Sequence, residues 1–251
     1  MTSNKVKAIA LTSFPLIREG DKICKMILQS IGRSDTGLVD GDVLVVTSKI
    51  VSKSEGRLVR ASEVHVSERA KEIAERNNFD PIHVELALRE AREVILSEGI
   101  LITETHSGNV CNFSGVDKSN APDGEFVLLP RNPDHSAEMI LDCLVRETGL
   151  KLAVVISDTQ GRPLRKGSVN VAIGCAGINA FKHNKGKHDL HGRILKRSSV
   201  CQIDELASFA EPLMGQAGER TPVVIIRGYE YSEGIEQAID ISRSKDDDLF
   251  R

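Results

Sequence analysis

Two acidic residues each follow an apolar run and stand among hydroxyl and amide side chains. The first, Asp117, lies near the end of the stretch Gly108-Asn109-Val110-Cys111-Asn112-Phe113-Ser114-Gly115-Val116-Asp117-Lys118-Ser119-Asn120. The second, Asp158, sits in Ser157-Asp158-Thr159-Gln160-Gly161-Arg162, directly after the apolar residues 153–156. Apolar runs that stop at Gly, Asn and Ser read as strands ending in turns. An Asp at such a place can offer a hard oxygen ligand to a cation. Either Asp alone would read as an Asx turn. Together, with basic and glycine-rich segments elsewhere, they point to a metal-assisted phosphate site.

Three further segments could serve that chemistry. The apolar residues 43–46 run into Thr47, Ser48 and Lys49, with Lys53 four residues on. Hydroxyl and ammonium donors beside fixed backbone suit a polyphosphate, although lysines in a surface loop would give the same pattern. Gly161-Arg162-Pro163-Leu164-Arg165-Lys166-Gly167-Ser168 places three cations downstream of Asp158. Its Lys-Gly-Ser order is not that of a P-loop, and neither a Walker motif nor a G-x-G-x-x-G run occurs in the chain. Arg162 and Arg165 could clamp anionic groups, or simply form a solvated basic turn. The run Met214-Gly215-Gln216-Ala217-Gly218-Glu219-Arg220 is a small-residue loop that lets backbone approach a ligand closely. His183, His188 and His191 lie in a Lys-rich stretch without the spacing of a zinc site. A basic surface facing an acidic substrate or partner is the better reading there.

These segments need elements to position them. Strands are expected at residues 6–11, 43–46, 100–103, 126–129, 151–156, 169–173 and 223–226. Helices are expected at 21–33, at 68–76 behind Ser67 as N-cap, and from Pro81 to about residue 96. Two more are expected at 136–148, capped by Asp134 and stopped at Gly149, and at 204–214, ended by Gly215. Strands and helices alternate irregularly, so the expected class is α+β: mixed, largely antiparallel sheets with packed helices in a two-lobed subunit, rather than a doubly wound sheet. Residues 1–251 read as one unit of two closely associated lobes, with a solvated tail over 241–251 around Asp246, Asp247 and Asp248.

The bulk composition is that of an ordinary globular protein, with 40% hydrophobic and 27% charged residues and a net charge of −3. Nothing in that balance draws the molecule toward nucleic acid or an anionic membrane. No apolar run approaches the roughly 20 residues a bilayer span requires, and residues 1–13 lack a signal-peptide pattern, so a cytoplasmic location is expected. Cys24, Cys111, Cys143, Cys175 and Cys201 are scattered, odd in number and free of any C-x-x-C pair. That argues against a disulfide framework or structural zinc and for small core residues, Cys111 included.

Taken in order, these segments resemble the coenzyme F420:L-glutamate ligase family in its archaeal single-domain form. The resemblance rests on Phe14-Pro15-Leu16-Ile17, on residues 41–46 and 52–57, on residues 108–120 and 157–162, and on Leu213-Met214-Gly215-Gln216. It implies a GTP-driven amide ligase that adds L-glutamate to a phospholactyl-deazaflavin precursor, and then a second glutamate through its γ-carboxylate. By the same resemblance, Phe14, Pro15, Leu16, Ile17, Ser48, Lys49, Lys53 and Asn120 contact the nucleotide, as does the loop Met214, Gly215, Gln216, Ala217, Gly218, Glu219, Arg220 and Thr221. Asp117, Asp158, Thr159 and Gln216 are implied to bind two divalent cations, Mn2+ or Mg2+, with K+ as a further candidate; Asp117 and Asp158 are then the catalytic pair. Gln216 stands where some relatives carry Glu. A homodimer is implied as well.

The chemistry suits the residues. Joining a carboxylate to an amine in water needs a good leaving group, so the γ-phosphate first moves onto the carboxylate to give an acyl phosphate. Two alternatives stay open at this point: a metal-dependent small-molecule kinase, in which the phosphate remains on the acceptor, and a non-catalytic GTP-binding regulator.

Overall fold

Residues 5–12 and 14–248 are described by a computed structural model of the chain. In chain order its strands are Lys7–Ala10 (β1), Asp42–Thr47 (β2), Leu58–Arg60 (β3), Ala91–Leu96 (β4), Ile102–Thr105 (β5), Val110–Asn112 (β6), Glu125–Val127 (β7), Leu152–Arg162 (β8), Arg165–Ala176 (β9), Phe181–His183 (β10), Ser199–Cys201 (β11) and Val223–Arg227 (β12). Its helices are Ile23–Ile31 (α1), Ser48–Ser54 (α2), Glu68–Asn77 (α3), Pro81–Glu90 (α4), Pro133–Thr148 (α5) and Gln202–Met214 (α6).

The centre is a five-stranded sheet in the order β1-β12-β2-β8-β9, in which only β2 and β8 run parallel. Both strands are covered on two faces, which is why Val43-Leu44-Val45-Val46 and Ala153-Val154-Val155-Ile156 are continuously apolar rather than alternating. Successive side chains point to opposite faces. Leu44, Val46, Val154 and Ile156 pack with Ile27 of α1 and Leu144 of α5, whereas Val43, Val45, Ala153 and Val155 pack with Ile203, Leu206 and Ala210 of α6. A smaller assembly joins α3 and α4 to the β4-β5-β6 sheet around Ala70, Ile73, Val84, Ala87 and Leu101. Beside it the β3-β7 pair encloses Phe126 with Leu86, Val116 and Leu128. The class is α+β with mixed sheets, as the sequence suggests.

Several expectations need correction. The helix from Pro81 stops at Glu90, and residues 91–96 form β4, paired antiparallel with β5. Its residues fit either period, and a partner strand decides the matter. Thr47-Ser48-Lys49 is not a strand exit into a loop: β2 turns directly into α2, with Thr47 as N-cap. Residues 161–168 are not an open loop either but the turn of the β8-β9 hairpin. The cap of α5 is Asn132, whose side chain accepts from the His135 N–H at 3.1 Å, with Pro133 in the first turn. Asp134 is buried instead and accepts from the Cys175 and Ala238 amides at 2.8 Å each.

Against the expectation of free cysteines, Cys24 of α1 and Cys143 of α5 form a disulfide, with Cα atoms 6.1 Å apart and 119 residues between them in sequence. Parity and spacing say nothing about two thiols brought together by helix packing. Cys111 and Cys175 are free and buried. In the expected tail, residues 242–247 are exposed and residues 249–251 lie outside the described residues, as do 1–4 and 13 of the N-terminal stretch. Among the described residues no helix is long and apolar enough to cross a membrane.

Candidate functional site

A cleft of about 420 Å³ opens where the parallel pair β2 and β8 ends. The chain makes three local decisions there. First, β2 passes straight into α2, which presents Ser48 and Lys49 in its first turn and Lys53 one turn later. Second, the β8-β9 register breaks between Ile156 and Ser157, and such an irregularity re-aims the side chains that follow. Third, α6 ends at Met214, and Gly215 takes φ 68° as the chain turns into the loop over the cleft. A side chain at Gly215 would collide with that of Glu219.

The two acidic stretches meet through α2. The Ser48 hydroxyl donates to Asp158 Oδ1 at 2.7 Å, while the Lys49 ammonium bonds Asp117 Oδ2 at 2.6 Å and also the Ser119 hydroxyl. Asp117 is itself held by an Asx turn, its Oδ1 accepting from the Ser119 N–H at 2.9 Å. Lys53 Nζ donates to the Asn120 carbonyl at 2.5 Å, and Asn120 Nδ2 donates to the Ala217 carbonyl at 3.1 Å. Residues 117–120, α2 and the loop after α6 therefore form one connected rim. On the opposite side the Thr159 hydroxyl lies 2.8 Å from Asn170 Oδ1 and 3.1 Å from Gln216 Oε1.

The electrostatics of the two carboxylates differ. Burial pushes the Asp158 carboxyl up, opposed by the Ser48 hydrogen bond and the Lys49 charge. Burial acts on Asp117 in the same direction, but the hydrogen bonds from Lys49 and Ser119 outweigh it and hold its carboxyl at about 2. Lys53 is pushed down by burial and by the neighbouring Lys49 charge. Two ammonium groups are thus crowded together at the cleft, an arrangement that an anionic ligand would relieve. The Cys111 thiol, raised to about 12 by burial and by Asp158, stays protonated and is filler rather than nucleophile.

Every expected nucleotide-contacting position lines this cleft except Glu219, whose carboxylate instead accepts from the Ala217 N–H at 2.8 Å. Of the four expected cation ligands, Asp158, Thr159 and Gln216 line it, and Asp117 is tied to it through Lys49. Their donors are all oxygens, which fits Mg2+ or Mn2+ and not a soft metal. Among the described residues no group of three or more His, Cys, Asp or Glu gathers elsewhere as a metal site, so the three histidines of residues 182–197 do not converge. Arg162 and Arg165 lie on the hairpin away from the cleft lining; the Arg162 guanidinium is occupied by the Gly167 and Lys166 carbonyls. Sequence reasoning missed Asn170, a buried polar residue of β9 that lines the cleft. Only its cross-strand pairing with Thr159 marks it.

The comparisons with known proteins agree with one another. The sequence model described as F420-0:Gamma-glutamyl ligase matches residues 12–228. The coenzyme F420:L-glutamate ligase of Methanothermobacter thermautotrophicus is 44% identical over 227 residues, covering 90% of each chain. The protein of that name from Archaeoglobus fulgidus is 40% identical over 98% of this chain and 97% of its own. That of Methanocaldococcus jannaschii is 41% identical over the same shares.

Proposed function

The chain belongs to the F420-0:gamma-glutamyl ligase family, and from that premise we propose that it is a GTP-dependent amide ligase. It joins L-glutamate to the phospholactyl-deazaflavin precursor of coenzyme F420 and adds a second glutamate by γ-linkage, releasing GDP and phosphate each time. The observation that carries this reading is the convergence of Lys49, Lys53, Asp117 and Asp158 on one cleft.

The reaction runs in two displacements. An oxygen of the acceptor carboxylate attacks the γ-phosphorus of GTP, and the bond from that phosphorus to the bridging oxygen of GDP breaks. The glutamate amine then attacks the acyl carbon of the resulting acyl phosphate, and the carbon–oxygen bond to phosphate breaks. Phosphoryl transfer of this kind depends on positioning and charge stabilisation more than on covalent help from the protein. Lys49 and Lys53 supply positive charge to the phosphates, and the loop 214–221 holds the nucleotide against residues 14–17. Asp117, Asp158, Thr159 and Gln216 would hold two divalent cations, Mn2+ or Mg2+, with K+ as a monovalent companion. When bound, these ions supply charge neutralisation across the phosphates. Ser48 keeps Asp158 oriented for that task.

Two measurements test the reading. The purified protein, incubated with the precursor, glutamate, GTP and Mn2+, should yield a product heavier by one and then two glutamyl residues, with one phosphate released per amide formed. A phosphorylated precursor without amide would instead make it a kinase, and GTP binding without turnover a regulator. The functional unit is a homodimer in this account, so light scattering should give about twice the 27.4 kDa chain mass.

A further inference from the structure

Asn170 is 3% exposed, sits on β9 and lines the cleft, yet it belongs to no recognisable motif. Its backbone is fixed from outside the sheet. The Ser208 hydroxyl of α6 donates to the Asn170 carbonyl at 2.7 Å, and two residues on, the Ala172 N–H donates to Asp204 Oδ1 at 2.9 Å. Its side-chain amide is fixed as well: Oδ1 faces the Thr159 hydroxyl at 2.8 Å, and Nδ2 faces the Met214 thioether at 3.8 Å.

That arrangement decides what the Thr159 hydroxyl can do. A hydroxyl has one proton and two lone pairs. Two acceptor oxygens approach it, Asn170 Oδ1 at 2.8 Å and Gln216 Oε1 at 3.1 Å, so one proton must serve both or leave one unserved. Asn170 is nearer, buried and immobilised. The Gln216 amide is exposed, and its Nε2 is drawn to Glu211 at 2.9 Å. With the proton directed at Asn170, the Thr159 and Gln216 oxygens face each other with lone pairs and no proton between them. Two such oxygens repel unless a cation sits against both. Their 3.1 Å separation is close to the roughly 3 Å edge of an octahedron whose oxygens lie about 2.1 Å from a divalent ion.

We propose that Asn170 is a positioning residue: by accepting the Thr159 hydroxyl proton across the β8-β9 pair, it turns the Thr159 and Gln216 oxygens into a ready pair of acceptors for a divalent cation. The inference rests on the reading of Thr159 and Gln216 as cation ligands given under Proposed function. Residues that orient metal ligands commonly change metal affinity by roughly 10- to 100-fold when replaced.

The test is Mn2+ binding to the full-length protein without substrates, followed by the loss of the free-ion electron paramagnetic resonance signal. Asn170→Leu keeps the volume but offers no acceptor, and its Mn2+ affinity should fall by roughly 10- to 100-fold. Asn170→Asp keeps an acceptor facing Thr159 and should bind Mn2+ at least as tightly as the wild type. In a Thr159→Val background, Asn170→Leu should add no further loss, because the residue acts through that hydroxyl. A folded Asn170→Leu protein with wild-type Mn2+ affinity would overturn the inference. So would an Asn170→Asp protein that binds more than tenfold more weakly, which keeps the test decisive even if the Leu variant does not fold. Absence of Mn2+ binding by the wild type itself would defeat the metal-site reading and this inference with it, an outcome the variants alone cannot mimic.

Discussion

The Lys49 ammonium lies 2.6 Å from the Asp117 carboxylate across 68 residues of sequence. This one contact joins the first turn of the helix after β2 to the first polar motif, while Ser48, the neighbouring residue, bonds the second motif at Asp158. A single helix N-terminus thus sets the relative positions of the two carboxylates on which the proposed chemistry depends.

The pair gives a pH signature in the metal-free protein. Asp117 titrates at about 2 when folded against about 3.9 in an unfolded chain. A carboxylate with a depressed folded value stabilises the protein above its unfolded pKa and loses that contribution as pH falls through the folded one. Urea denaturation of wild type and Asp117→Asn should therefore differ by a constant amount above about pH 4, and the gap should close between about 4 and 2. Both side chains keep solvent contact, at 26% and 44% exposure, so the gap should be small. A gap that widens on acidification would contradict the assignment.

Lys53 donates to the Asn120 carbonyl and is crowded by Lys49, so removing it costs an anionic ligand more than it costs the fold. Lys53→Ala should weaken nucleotide binding by roughly ten- to a hundredfold, the equivalent of one charge-assisted hydrogen bond, with a smaller effect on Mn2+ affinity. Calorimetric titration of each ligand separates the two. An unchanged nucleotide affinity would place the phosphates elsewhere in the cleft.

The nucleotide assignment predicts faster turnover with GTP than with ATP at equal concentration. The base is to be read by the loop 214–221, whose Gly215 and Arg220 both adopt positive φ and bring backbone close to any ligand. Equal or faster rates with ATP would remove the guanine preference while leaving the ligase reaction standing.

The Cys24–Cys143 bridge closes a chain segment of about 120 residues. Chain-entropy reasoning gives such a crosslink roughly 4–5 kcal/mol of stability. The double variant Cys24→Ala, Cys143→Ala should unfold at a markedly lower denaturant concentration, with turnover intact well below its melting temperature. Equal midpoints for wild type, with and without a strong reductant, would show that the bridge contributes nothing.

How far the sequence discloses this architecture depends on how local each signal is. The buried strands 43–46 and 153–156, the Ser67 cap and the Gly149 stop are written into short stretches and stand where expected. The end of α4 at Glu90 is not, because residues 91–96 take their conformation from pairing with β5. Nor is the disulfide, which depends on α1 packing against α5. Within the site, Asp117 and Asp158 announce themselves through hydroxyl and amide neighbours. Asn170 stands between two valines in a strand, and its importance exists only in the cross-strand register with Thr159.

The most direct measurement is the rate of amide formation by Asp158→Asn at limiting Mn2+, beside its melting temperature. The substitution keeps an acceptor for the Ser48 hydroxyl and removes a charge that burial disfavours, so the variant should melt at or above the wild-type temperature. Its turnover should fall by roughly 10²–10³ or more, the usual loss when an electrostatic stabiliser is removed. A variant that folds normally and still forms amide at a near-wild-type rate would contradict the account, because the cation site and the chemistry would then lie outside this cleft.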